Sequence, residues 1–366
     1  MLTAMLHSLR NILHTGLRSA LEATPFSGRG IQARRARRAQ RTGPFSGAFV
    51  IPLPDLTGRG LRPVYLERRG RYATVTSVKF LDAETLVCAS FLEKKLYLVR
   101  FDAKRKTSQI LDEIATTHRG VPVETDLADA DPAGENVIVS NFHHGSFTQF
   151  RRDGDRLVHV RDLAFGLTAS KVHGVKYLTP DVFAGTLGSR PTGVRFFDLI
   201  RTKPMLQVDL PLKSQDVSFL SDREMIVLAV HGAPTRKRQK PYASELARVT
   251  FDFDTGAFEI GVRRIFEDTH FDASVIHAGR LWLTDQRNDC VKLFDPDSLD
   301  EIGRIDGYDF PHGIDLEFGM LAVTNYGANT IDIRAVEDLA IRISAGRDSR
   351  RGLLAGAGPG RGPRPS

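Results

Sequence analysis

Leu281-Trp-Leu-Thr-Asp285 followed by Cys290-Val-Lys-Leu-Phe-Asp295, and Leu321-Ala-Val-Thr-Asn325 followed by Thr330-Ile-Asp-Ile-Arg334, are the stretches whose reading decides the fold. Each is a short run rich in β-branched and aromatic residues, closed by Asp or Asn and resumed after a polar turn, which is the signature of two antiparallel strands. The same couplet recurs upstream. Thr85-Leu-Val-Cys-Ala-Ser90 precedes Lys95-Leu-Tyr-Leu-Val-Arg-Phe-Asp102, Asn136-Val-Ile-Val-Ser-Asn141 precedes Ser146-Phe-Thr-Gln-Phe150, Asp181-Val-Phe-Ala-Gly-Thr186 precedes Gly193-Val-Arg-Phe-Phe-Asp198, and Met225-Ile-Val-Leu-Ala-Val230 precedes Leu246-Ala-Arg-Val-Thr-Phe-Asp252. Phe marks at 101, 150, 197, 251 and 294 set a repeat of 43 to 54 residues.

A repeat of that length, with one strand before and one after each couplet, is the arithmetic of a propeller of four-stranded blades. Six couplets predict an all-β, six-bladed β-propeller over residues 55–339. Outer strands follow the first five couplets but not the sixth, so a strand from the N-terminal side has to close the last blade and remove its free edge. Pro63-Val-Tyr-Leu-Glu-Arg68 is the expected closing strand.

Val323-Thr-Asn-Tyr-Gly-Ala-Asn-Thr-Ile-Asp-Ile333 resembles the repeat of the YVTN family of propellers, and Phe310-Pro-His-Gly-Ile314 and Val172-His-Gly-Val175 are similar to blade openings in YVTN, NHL and lactonase-like propellers. That resemblance covers about 63–334 at the level of the repeat. It implies architecture, since such propellers include lactonases and peptide or protein binders. The Asp-Gly turn common between the first two strands is missing at Leu81-Asp-Ala-Glu84 and Glu317-Phe-Gly319.

The chain has 366 residues, 41% hydrophobic, so wholesale disorder is excluded. No stretch approaches the roughly 18 apolar residues of a membrane-spanning helix. Cys88 and Cys290 cannot make a disulfide framework, and no zinc spacing, P-loop, dinucleotide fingerprint or Ser-His-Asp order is present. The net charge of +7 is unevenly placed. Residues 1–54 carry eight Arg against Glu22 and residues 340–366 carry six Arg against Asp348, which leaves the body mildly acidic. The first segment is read as an amphipathic helix, up to about Ala23, with an Arg-rich extension. It is suited to an anionic membrane surface or, over residues 1–41, to an organellar transit peptide; without that role the chain is expected in the cytoplasm. The last segment is read as a disordered Gly/Pro/Arg-rich tail. With no aromatics interleaved among the arginines, sequence-specific nucleic-acid binding is not expected. A monomer is.

In an up-and-down blade, the loops leading into first strands and those joining second to third strands share one face. Seven of the nine histidines in the body fall on that face. Aligning inner strands puts Thr76, Thr125, His173, Gln215, Asp272 and His312 around the channel mouth, with Glu124 and Ser214 just above. Imidazoles beside carboxylates suit one divalent metal ion, with Glu124, Asp126, His173, Asp272 and His312 as candidate ligands. The same His173, Asp272 and His312 are the candidate catalytic residues of a metal-assisted, lactonase-type hydrolase. The reading placed first is binding of a polar or anionic small molecule, or an acidic protein surface, at this face. Thr125, Asn141, His143, His144, His231, Asp285 and Asn325 are its candidate contacts, together with Arg236 and Arg238 from the long basic connection 231–244.

Overall fold

The computed structural model describes residues 49–52, 75–167, 171–189, 191–211, 213–231, 243–326, 328–339 and 341–343. Expectations for residues 1–48, for Pro63–Arg68, for Arg236 and Arg238 and for residues 344–366 lie outside the described residues.

Six antiparallel sheets form the molecule, one per predicted blade. From the axis outward, blade one runs Val75–Phe80, Thr85–Ser90, Lys95–Asp102 and Thr107–Ala115. Blade two runs Ala128–Ala130, Asn136–Asn141, Ser146–Asp153 and Arg156–Leu163. Blade three runs Val172–Thr179, Val182–Gly188, Thr192–Asp198 and Lys203–Asp209. Blade four runs Lys213–Ser221, Glu224–His231, Ala243–Phe251 and Phe258–Glu267. Blade five runs Phe271–His277, Arg280–Asp285, Cys290–Phe294 and Glu301–Asp306, and blade six Pro311–Glu317, Met320–Asn325 and Thr330–Ala335. A small hairpin, Thr117–His118 with Val121–Pro122, sits in the connection from blade one to blade two. Among the described residues, no helix is long and apolar enough to cross a membrane.

The last blade is closed from the N-terminal side, and Phe49–Pro52 takes the place expected for the closing strand. Phe49 pairs with Ile333, Ile51 with Ile331 and Pro52 with Thr330. The arginine density of residues 1–54 hid a four-residue apolar run that is sufficient for an edge strand. Pro52 is tolerated because an outermost strand has one edge with no ladder to supply. Ile51 is buried in the core shared by blades one and six, beside Val78, Tyr97, Ala322 and Ile333. The propeller therefore begins inside the segment read as an extension. It also ends later than expected, because Arg342–Ile343 pairs with Arg304 and Gly303 as a fifth strand on blade five.

Between blades the cores are apolar and aromatic, as in the Phe147, Phe183 and Phe197 cluster with ring centroids 4.9 to 5.3 Å apart. Near the axis the join is made by hydroxyls instead. Thr186 accepts from the amide of Gly174 at 2.6 Å and donates to the carbonyl of Gln215 in the next blade at 2.9 Å. Thr284 links the amide of Ala273 to the carbonyl of His312 in the same way, and Ser140 lies between Leu127 and the carbonyl of His173.

Closure by Phe49–Pro52 predicts a sharp step between two truncations. A chain starting at residue 48 should keep the melting temperature of the full chain, whereas one starting at residue 54 should lose about 5 °C or more, or aggregate through the bared Thr330–Ala335 edge. Equal melting temperatures for the two would contradict the pairing.

Candidate functional site

Five of the six inner strands depart from regular pairing near their start, for example between Val172 and Val175, Ser214 and Asp216, Phe271 and Ser274, and Pro311 and Ile314. Irregularities of this kind re-aim side chains, and here they hold His173, Asp272 and His312, which meet Asp126 from the connection into blade two at the top of the channel. Nε2 of His173 lies 3.4 Å from Asp126 Oδ2 and 3.3 Å from Asp272 Oδ1. Nε2 of His312 lies 3.4 Å from Asp126 Oδ1 and 2.8 Å from Asp272 Oδ2. The imidazoles stack nearly parallel, 5.8 Å between centroids and 11° between planes. None of the four residues is more than 8% exposed.

The surrounding structure fixes this square. Nδ1–H of His173 donates to the Gln215 carbonyl at 2.8 Å, which leaves Nε2 to face the carboxylates. The Gln286 side-chain amide donates to Asp272 Oδ2 at 2.9 Å, and the Thr76 hydroxyl donates to the Asp126 carbonyl at 2.7 Å. Glycine follows each histidine out of steric necessity. A Cβ at Gly174 would stand 2.6 Å from the Gln215 carbonyl and from Asp216 Oδ1, and one at Gly313 would stand 2.6 Å from the Thr76 carbonyl.

Burial opposes charge on His173, but the Asp126 and Asp272 carboxylates overcome it and hold its pKa at about 10. His312 is raised by the same balance of burial against Asp272 and Asp126. Burial alone would raise Asp272, yet the two imidazoliums keep it well below the usual carboxylate range. Protons are one way to satisfy the square. A cation is the other, since Asp126, His173 and His312 each offer a donor atom within 4.8 Å of the others.

Below this level lies a second charged layer that the sequence reading missed. Lys79 lies 3.4 Å from Asp129 and 3.2 Å from Asp315, and Lys176 lies 3.7 Å from Asp129. Asp315, Asp129 and Asp216 each accept the backbone amide of the following blade, from Phe80, Tyr177 and Ser274 at 2.8 Å. Burial and the neighbouring Lys79 charge lower Lys176, and burial raises Asp216.

The other sequence candidates are placed as follows. Blade two brings Asp126, not Thr125, to the ring; the Thr125 hydroxyl donates to the Ser140 carbonyl. Asn141 spends its amide on the Thr117 carbonyl, Ser146 and Thr148. Asp285 accepts from the His270 amide and from Asn288, and Asn325 accepts from the Asp309 amide, so both cap their connections. His231 is tied to buried Glu245 at 2.7 Å, and Glu124 to Lys94 at 3.2 Å. His143 packs on Phe142 with centroids 4.7 Å apart, while His144 stacks on His118 at 5.4 Å, away from the square. Gln286, the Gln215 carbonyl, and the rings of Phe142 and Tyr326, 5.8 Å from His173 and 5.6 Å from His312, are site groups that sequence reading did not find.

No family model matches the chain, and no curated protein does. Among solved structures it is similar to hydrazine synthase of Kuenenia stuttgartiensis, with a TM-score of 0.50, 13% identity, and coverage of 76% of this chain and 80% of that one. It is also similar to the Cps50 (Swd1) β-propeller domain of Myceliophteria thermophila, with a TM-score of 0.49, 13% identity, and coverage of 78% and 90%. At such identities the first likeness speaks for the fold alone.

The square has a pH signature. Because the folded pKa of His173 is about 10 against an ordinary 6.5, its stabilisation is complete below pH 6.5 and is lost as the pH rises through 10. In chelator-treated protein the melting temperature should fall from pH 7 to pH 10, and Asp272→Asn should flatten that slope. A slope unchanged by the substitution would contradict the pairing.

Proposed function

We propose that the chain is a ligand-binding propeller whose top mouth holds one divalent first-row metal ion between Asp126, His173, Asp272 and His312. The observation that carries this reading is the gathering of Asp126, His173 and His312, each offering one donor atom within 4.8 Å of the others, with Asp272 beside both imidazoles. Metal–N and metal–O bonds of about 2.0 to 2.2 Å make the edges of a tetrahedron or octahedron about 2.8 to 3.6 Å long, and the His–Asp donor distances here run from 2.8 to 3.4 Å. A single ion can then replace the protons that the two imidazoles otherwise carry. A His whose far nitrogen is anchored on a backbone carbonyl, as His173 is on Gln215, is oriented as metal-bound histidines are.

Two imidazoles in the set favour zinc, iron or cobalt over calcium or magnesium, which prefer all-oxygen shells. Charge supports the same assignment, since two carboxylates, two neutral imidazoles and one divalent ion sum to zero in a buried place. With Lys79, Lys176 and their carboxylates on the lower side, a ligand reaches the ion from the top. A polar or anionic ligand offering an oxygen is the class such an ion attracts. Lactonase-type hydrolysis shares the metal but also needs a base free to take a proton from water. With both channel imidazoles serving as ligands, that reading comes second.

Equilibrium dialysis followed by elemental analysis tests the proposal. Wild-type protein should retain close to one zinc or cobalt per chain in millimolar calcium and magnesium. His173→Gln with His312→Gln should retain about a hundredfold less at limiting metal while remaining folded by circular dichroism. Retention of one metal by the folded double variant, or none by the wild type, would refute it.

A further inference from the structure

The residues at or just beyond the ends of the second strands mark a second level at the mouth, above the square, and it is divided. Blades six, one and two, consecutive around the propeller, place Tyr326, Phe91 and Phe142 there, whereas blades three, four and five place Gly188, His231 and Gln286. Phe91 and Phe142 meet edge to face with centroids 6.0 Å apart. Phe142 and Tyr326 rest against His173 and His312, and all three rings are half-buried. The mouth thus has an aromatic wall on one side, immediately over the four donors.

We propose, building on the metal reading, that this site takes a flat aromatic carboxylate whose ring lies along Phe91, Phe142 and Tyr326 while its carboxylate reaches the ion. Half-exposed ring surface next to a buried charged square is covered most favourably by another flat apolar group, because such pairs gain contact and quadrupole energy beyond area burial. The sign of the ligand's charge follows from the square and its wall. Once a divalent ion has neutralised Asp126 and Asp272, an incoming anion meets no uncompensated carboxylate there. Lys171 contributes a positive charge on the same wall, with Nζ 5.0 Å from the centre of the Phe142 ring.

The test uses full-length protein, wild type and Phe142→Leu, with bound zinc first measured by elemental analysis. Acetate, benzoate, 2-naphthoate and phenyltrimethylammonium are then titrated calorimetrically. On zinc-loaded protein, 2-naphthoate should bind at least about tenfold more tightly than acetate, with benzoate between, and chelator-stripped protein should bind it about tenfold more weakly or worse. Phe142→Leu, with its own zinc content measured first, should lower the ratio of 2-naphthoate to acetate affinity by about three- to tenfold. Equal affinities for acetate and 2-naphthoate on zinc-loaded protein would overturn the aromatic wall as a ligand surface while leaving the metal reading intact. So would 2-naphthoate binding that is indifferent to zinc, or a preference of the loaded protein for phenyltrimethylammonium. Absence of bound zinc at the outset would instead overturn the metal reading, and this inference with it.

Discussion

Six inner strands converging on one axis leave no room for an apolar core there, so whatever points inward has to satisfy its polarity against its neighbours. Burying an uncompensated charge costs several kcal/mol, and this chain buries Asp126, Asp129, Asp216, Asp272 and Asp315 beside Lys79, His173 and His312. The two layers they form are what the propeller is arranged around. Glycines at 174 and 313 let adjacent inner strands approach within reach of one another. Thr186, Thr284 and Ser140 tie three of the blades to the next. Closure by Phe49–Pro52 keeps the ring under the same geometric constraint all the way round.

The two layers differ in what they leave available. In the lower one, lysine ammoniums meet carboxylates directly and aspartates accept strand amides, so every charge already has a protein partner. In the upper one, the cationic partners are imidazoles, whose ring nitrogen becomes a metal ligand when a bound cation takes the proton's place, as an ammonium beside carboxylates does not. A site whose positive charge is exchangeable can hold a proton or a metal ion in the same place. That difference, between Lys79 at one level and His173 with His312 at the next, is why the mouth is the end proposed for binding.

How much of this was legible in the sequence follows from which signals repeat. The couplets repeat because each blade needs the same two buried strands, so the number of blades and the strand order could be read directly. His173 and His312 were found as a facing pair because His-Gly recurs at two blade openings. Asp126 was displaced by one position in the alignment, since blade two begins with irregular backbone before Ala128–Ala130 and the pairing period gives no register there. The closing strand was missed because four residues carry little periodicity and lay among arginines. Lys79 and Lys176 look like ordinary strand lysines until the convergence of strands is known. The aromatic wall did have a signal, the residue following Ser90, Asn141 and Asn325, but it becomes meaningful only once that position is known to face the mouth.

The central claim is that the square of Asp126, His173, Asp272 and His312 is a metal centre and not merely a doubled ion pair. Anomalous diffraction recorded above and below the zinc edge, from crystals grown with one equivalent of zinc, tests it most directly. The account predicts one strong peak on the channel axis, about 2.0 to 2.2 Å from Nε2 of both histidines and from at least one carboxylate oxygen. A channel without a peak, or zinc found only elsewhere, such as beside His118 and His144, would contradict it.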